Sequence, residues 1–181
     1  MKNQKKAQTS TESLPPGLQT DAPLYRLFLD TVRDLYWAEN HLLMVLPNMA
    51  ASASSKALKN AIDKHRAETV LQVGRLEKIF ELLGEKAIAK KCDAMEGLAK
   101  EGETIIETTP AGTQTRDLGI IFAAQKVEHY EIASYIGAYQ LADKLGFKAV
   151  ASLFQETLKE EQHTDVLLSE MAGKILSAVK A

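Results

Sequence analysis

Apolar residues recur at helical spacing through most of the chain. Leu24, Leu27, Phe28, Leu35, Leu42, Leu46 and Met49 form a stripe that predicts a first helix ending near Ala51. Asp21 reads as its N-cap and Pro23 suits its first turn. Pro47, which lacks a backbone donor, is expected to kink or shorten it. A second helix is predicted from about Ser55 to Leu83, with Leu58, Ile62, Leu76, Ile79, Phe80 and Leu83 on one face and Gly84 as its stop. A long connection from about Glu85 to Arg116 carries a shorter amphipathic piece near Lys90 to Ile106. A third long helix starts near Asp117, turns Leu118, Ile121, Phe122, Ile132, Ile136 and Tyr139 inward, and closes at Gly146. The fourth runs from about Lys148 to Ala178, with Val150, Leu153, Phe154, Leu168, Met171 and Ile175 inward. No useful stretch alternates with period two, so a sheet is not expected.

Two tightly joined helices, a long crossover and two more tightly joined helices predict an all-α, ferritin-like four-helix bundle. Its crossover carries a short extra helix. The bundle is expected to span residues 22–178. Residues 1–21 are polar, broken by Pro15 and Pro16, and read as a disordered arm. Lys2, Lys5 and Lys6 open that arm without an apolar segment behind them, so no secretory leader is expected.

Each long helix also carries an acid where the buried stripe should be. At about 100° per residue, Glu39 and Glu161 fall roughly 30° from the centre of their apolar faces. Glu128 lies comparably deep, with Glu131 at the rim one turn on. On the second helix His65 is nearly central, Gln72 is inside and Glu68 stands at the rim. A lone buried carboxylate costs several kcal/mol unless it is paired, protonated or bound to a metal ion. One such residue is readily explained by a salt bridge, and the acids of the third helix have Arg75 or Lys126 as conceivable partners. Acids at the middle of four helices point instead to a shared two-metal carboxylate centre, built from inward Glu and His side chains. The candidate ligands are Glu39, His65, Glu68, Glu128, Glu131 and Glu161. Glu160-x-x-His163 has the spacing of a di-iron ligand pair, but His163 falls about 130° from the apolar centre of its helix and is expected in solvent. Tyr36, Tyr130, Tyr135 and Tyr139 are explained by core packing.

Composition narrows the alternatives. The 22 basic residues nearly balance the 24 acidic ones, which leaves no electrostatic footprint for nucleic acid. No apolar run is long enough to span a membrane. Cys92 stands alone, which excludes an internal disulfide framework and a cysteine zinc cage and fits the reducing cytoplasm. No nucleophile elbow or glycine-rich phosphate loop is present, against hydrolase and nucleotide chemistry.

Several segments carry a resemblance. LYWAEN at 35–40, HRAET at 65–69, CDAMEGL at 92–98, VEHYEIASY at 127–135 and LKEEQHTD at 158–165 resemble the YciE/YciF stress-protein family. The resemblance covers residues 22–175 and is most specific in HYEIA. It implies a ferritin-like bundle, often a homodimer, with a di-metal centre related to that of rubrerythrin. It carries over to Glu39, to His65 with Glu68, to Glu128 with Glu131, and to Glu161. The rubrerythrin pattern has a Glu-x-x-His on both the second and fourth helices. Leu71 stands at the histidine position after Glu68, and this departure favours looser metal binding, or manganese over iron.

The functional expectation is a stress-associated protein with a carboxylate-rich Fe or Mn centre acting in oxidative or peroxide defence. A separate reductant is then needed, because the chain has no cysteine-rich electron-transfer module. Metal storage needs a shell of many subunits, which nothing in the sequence encodes. The alternative reading is a non-catalytic dimeric structural or interaction protein of the stress response.

Overall fold

The computed structural model describes residue 15 and residues 19–178, so most of the expected N-terminal arm lies outside the described residues. Helix α1 spans Pro23–Ser52, α2 Lys56–Leu83, α3 Asp93–Thr108, α4 Gln114–Leu145 and α5 Lys148–Ala178, and no strand occurs among the described residues. Helices α1, α2, α5 and α4 pack in a ring, and the crossover helix α3 lies against α1 and α4.

Local chemistry sets most of the boundaries. Ser55 accepts from the Leu58 amide to cap α2, and the thiol of Cys92 accepts from the Met95 amide at the start of α3. Gly84 and Gly146 end α2 and α4 in the left-handed conformation, at φ of 69° and 88°.

Some expectations fail for physical reasons. The N-cap of α1 is Ala22, with no side-chain bond, rather than Asp21; a turn from the Ala22 amide to the Gln19 carbonyl and a proline in the first turn do that work. Pro47 neither ends α1 nor shortens it, because it lies on the exposed side, where water can satisfy the carbonyl it leaves free. Helix α4 begins earlier than expected, with Thr113 as its N-cap. Asp117 is instead buried and takes bonds from the Ser54 amide (2.7 Å), the Ser54 hydroxyl (2.7 Å) and the Ser55 amide (2.9 Å). It thereby pins the α1–α2 turn to the start of α4. Leu24, Leu27, Phe122 and Ile136 are exposed rather than inward. Helix α4 is enclosed by α1, α3 and α5, and beside Ile120, Ile121 and Tyr135 its buried face carries Ala123, Ala124, Val127, Ala138 and Ala142, whose smaller side chains allow close approach.

The core is divided in two. One apolar layer gathers Phe28, Leu35, Leu76, Phe80, Tyr135 and Phe154. The other gathers Leu42, Leu46, Ile62, Ile121, Val127 and Leu168. Between Leu35 and Leu42 on α1 lies Glu39, between Ile62 and Leu76 on α2 lie His65, Thr69 and Gln72, and the other two helices repeat the pattern. A polar layer thus crosses the middle of the bundle.

Candidate metal centre

The polar layer is deeply buried. Glu39, Glu131 and Glu161 have no exposed surface, Glu128 has 1% and His65 5%. His65, Glu128, Glu131 and Glu161 each offer one donor atom, and these atoms lie within 4.8 Å of one another. The imidazole stands between two acids, with Nε2 3.5 Å from Glu128 Oε1 and Nδ1 4.0 Å from Glu161 Oε2. Glu39 flanks this group; its carboxylate accepts a hydrogen bond from the Tyr135 hydroxyl.

Many of these atoms have no hydrogen-bond partner. Both nitrogens of His65, both oxygens of Glu131, and one oxygen each of Glu39, Glu128 and Glu161 are buried and unpaired. Native proteins rarely leave so many polar atoms unsatisfied in one place. Divalent cations bound by oxygen and imidazole donors would use those free lone pairs, so the residues present fit a metal centre.

Burial also disfavours charge in this layer. It pushes Glu39 up to about 8, against the pull of the Tyr135 hydrogen bond, and Glu128 up to about 8, against a hydrogen bond shared with Glu161. Glu131 and Glu161 are raised well above the ordinary carboxylate range by burial and then by the neighbouring acids. Burial pushes His65 down to about 4, which leaves its imidazole neutral, as a metal ligand must be. Burial thus disfavours the charged form of every member of the cluster, raising the four acids and lowering the imidazole.

The structure separates the sequence candidates. His65, Glu128, Glu131 and Glu161 come together with Glu39 beside them. Glu131, expected at the rim, is fully buried. Glu68 stands off, half-buried, and pairs with Lys64 at 2.8 Å. Leu71 is 59% exposed, so a histidine there would face solvent; His65, on the other side of Glu68, is the inward position. Glu160 also lies outside, gripped by both guanidinium nitrogens of Arg75 at 2.6 Å, and His163 is exposed. The partners conceivable for the α4 acids are engaged elsewhere, Arg75 with Glu156 and Glu160 and Lys126 with Glu101.

Two supporting groups lie beside the candidate ligands. Tyr135, packed in the core as expected, also anchors Glu39 through its hydroxyl. The Gln72 amide, expected inside, donates to Glu161 at 2.5 Å and to Glu160 at 3.1 Å, linking the centre to the Arg75 pair. Tyr135 does pack in the apolar core, beside Phe154, and only its hydroxyl reaches the polar layer, a contact across the bundle that helical spacing does not reveal. Away from the centre, Tyr130 donates to Asp34 at 2.6 Å and meets the Cys92 thiol at 2.9 Å, tying α4 to α1 and to the start of α3.

Known proteins share this helical fold. A family model described as domain of unknown function (DUF892) matches residues 24–180. Protein YciF of Escherichia coli (strain K12) is 41% identical over 147 residues, 81% of this chain and 88% of that protein. The crystal structure of the E. coli stress protein YciF aligns with a TM-score of 0.82 at 39% identity, covering 85% of this chain and 97% of that one. YcfI from Rhodopseudomonas palustris, a candidate structural protein, aligns with a TM-score of 0.78 at 33% identity over 84% of this chain and 97% of its own. No helix among the described residues is long and apolar enough to cross a membrane.

Proposed function

This chain belongs to the DUF892 family and is a ferritin-like helical bundle of the YciE/YciF stress-protein kind, and from that premise we propose that it is a metalloprotein of the stress response. His65, Glu128, Glu131 and Glu161 would hold one divalent ion, and Glu39, with carboxylates shared from that set, a second. The observation that carries this reading is the concentration of buried, unpaired donor atoms in one layer. Charge supports two ions: Glu39, Glu128, Glu131 and Glu161, once deprotonated, balance two divalent cations.

A pair of iron or manganese ions, when bound, supplies electrons for reducing dioxygen or peroxide. The chain's own residues set the conditions. The two apolar layers exclude bulk water and favour the protonated carboxyls, so that binding of a cation would be coupled to loss of those protons. Tyr135 fixes the rotamer of Glu39, and Gln72 fixes that of Glu161. The proposal includes a homodimer, a cytoplasmic setting and a separate reductant. The alternative of a non-catalytic structural or interaction protein has one support, the description of the Rhodopseudomonas palustris relative as a candidate structural protein.

The deciding experiment is elemental analysis of protein purified without a metal-affinity tag. About two Fe or Mn per chain is the expected content for a dinuclear carboxylate centre. No bound metal, even after anaerobic addition of Fe(II) or Mn(II), overturns the proposal in favour of the structural reading.

A further inference from the structure

Directly beside the polar layer, on the side of Leu42 and Leu46, the bundle holds a partly enclosed cavity. Helices α1, α2, α4 and α5 all contribute to it, with Leu46, Ile62, Val127 and Leu168 among its walls and His65 and Glu128 at its inner end. The room for the centre of a water-sized body is about 20 Å³. One water needs roughly 10–15 Å³ by this measure, so the space suits one diatomic molecule better than a larger substrate.

The lining is almost wholly carbon, even though three polar residues border it; one of them, Thr164, donates its hydroxyl to the Glu160 carbonyl at 3.2 Å. The donor atoms of His65 and Glu128 turn toward Glu161 and the rest of the acid cluster, leaving their carbon edges to the cavity. A water there would lack the two to four polar partners it needs. Hydrogen peroxide, with two hydroxyl groups, would pay the same desolvation cost without repayment.

A route from the surface is also present. A groove of about 420 Å³ runs along the seam between α2 and α5, past Ala57, Asn60 and Met171. Ala61 and Leu167 border both the groove and the cavity. Both are only partly buried, and one of them is an alanine, so the partition between outside and inside is thin.

We propose that this cavity is a binding site for one small apolar molecule of the dioxygen class, admitted through the Ala61–Leu167 seam and held against the inner edge of the acid cluster. The part that concerns what the molecule meets on arrival rests on the metal reading above; the binding itself does not. If both hold, the apolar chamber selects dioxygen over peroxide as the oxidant.

Xenon is the probe, because it occupies dry apolar cavities of this kind. Crystals of the full chain pressurised with xenon should show an atom between Leu46, Ile62 and Leu168. Ala124→Leu, which builds carbon into the wall, should remove that atom, as should Ala61→Leu if the first variant folds poorly, while metal content stays that of the parent. In the metal-loaded protein, Ala124→Leu should slow oxidation by dioxygen and leave oxidation by peroxide unchanged. An ordered water in the cavity, xenon absent from it, or xenon retained at parental occupancy in a folded filling variant would each overturn the proposal. Xenon bound in a protein that takes up no metal would refute the metal centre and leave the cavity site standing; metal without xenon would do the reverse.

Discussion

Replacing Glu128 by glutamine should make the metal-free protein more stable, and more so as pH rises. Glu128 is 1% exposed and its carboxyl is pushed up to about 8 from an ordinary 4.5, chiefly by burial. An acid with a raised native value binds its proton more tightly folded than unfolded, so folding stability falls as pH climbs from 4.5 through 8. The loss from this one group is below about 1 kcal/mol at pH 5, about 3 kcal/mol at pH 7 and approaches about 5 kcal/mol above pH 8. Glutamine keeps the shape of the neutral acid and cannot ionise. For a chain of this length roughly 2–4 °C accompany each kcal/mol, so Glu128→Gln should melt about 6–12 °C higher than the parent at pH 7 and nearly with it at pH 5. The assay is thermal unfolding by circular dichroism in excess chelator across that pH range. Excess Mn(II) should then reverse the order at pH 7: the parent gains about 4.1 kcal/mol at a thousandfold excess over its dissociation constant, more than its deficit, and the variant gains little. A melting difference independent of pH, or a variant less stable at pH 8 than the parent, would refute the claim that Glu128 is protonated in a dry layer.

Other consequences follow from the same geometry. Mn(II) binding near pH 7 should release protons from the acid cluster, so affinity should rise with pH; calorimetry in buffers of different ionisation enthalpy would measure this, and binding without proton release would contradict the raised carboxyls. Gln72→Leu removes the amide that holds Glu161 and should weaken metal affinity by about 10–100-fold with helical content intact; an unchanged titration would show that Gln72 has no positioning role. Asp117→Ala strands the Ser54 and Ser55 amides and the Ser54 hydroxyl, and should cost about 2–4 kcal/mol in denaturant unfolding while leaving metal uptake alone. Arg75→Met frees Glu160 from its guanidinium clamp; a small stability loss of about 1–2 kcal/mol is expected, with a larger effect marking Arg75 as part of the centre's support.

The helices and their order were legible in the sequence because helical periodicity is local. Leu58, Ile62, Leu76 and Ile79 announce α2 whatever lies across from them, and Gly84 and Gly146 end their helices through backbone geometry alone. The same periodicity placed Glu39, Glu128 and Glu161 on buried stripes, and an acid on each of several stripes is improbable unless the acids share a site. Rim positions were different. Glu131 and Glu68 look alike on a helical wheel, yet one is fully buried and the other pairs with Lys64 at the surface. Whether a rim residue turns in or out depends on which neighbour covers that flank, and α4 is covered on more sides than α2. The grip of Tyr135 on Glu39, the distance from Glu128 to His65, the three bonds to Asp117 and the cavity between Ile62 and Leu168 all join residues far apart in the chain. The sequence by itself determined where polar residues enter the apolar face of each helix; packing alone decided how each helix is rotated about its axis, and with it which of those residues meet.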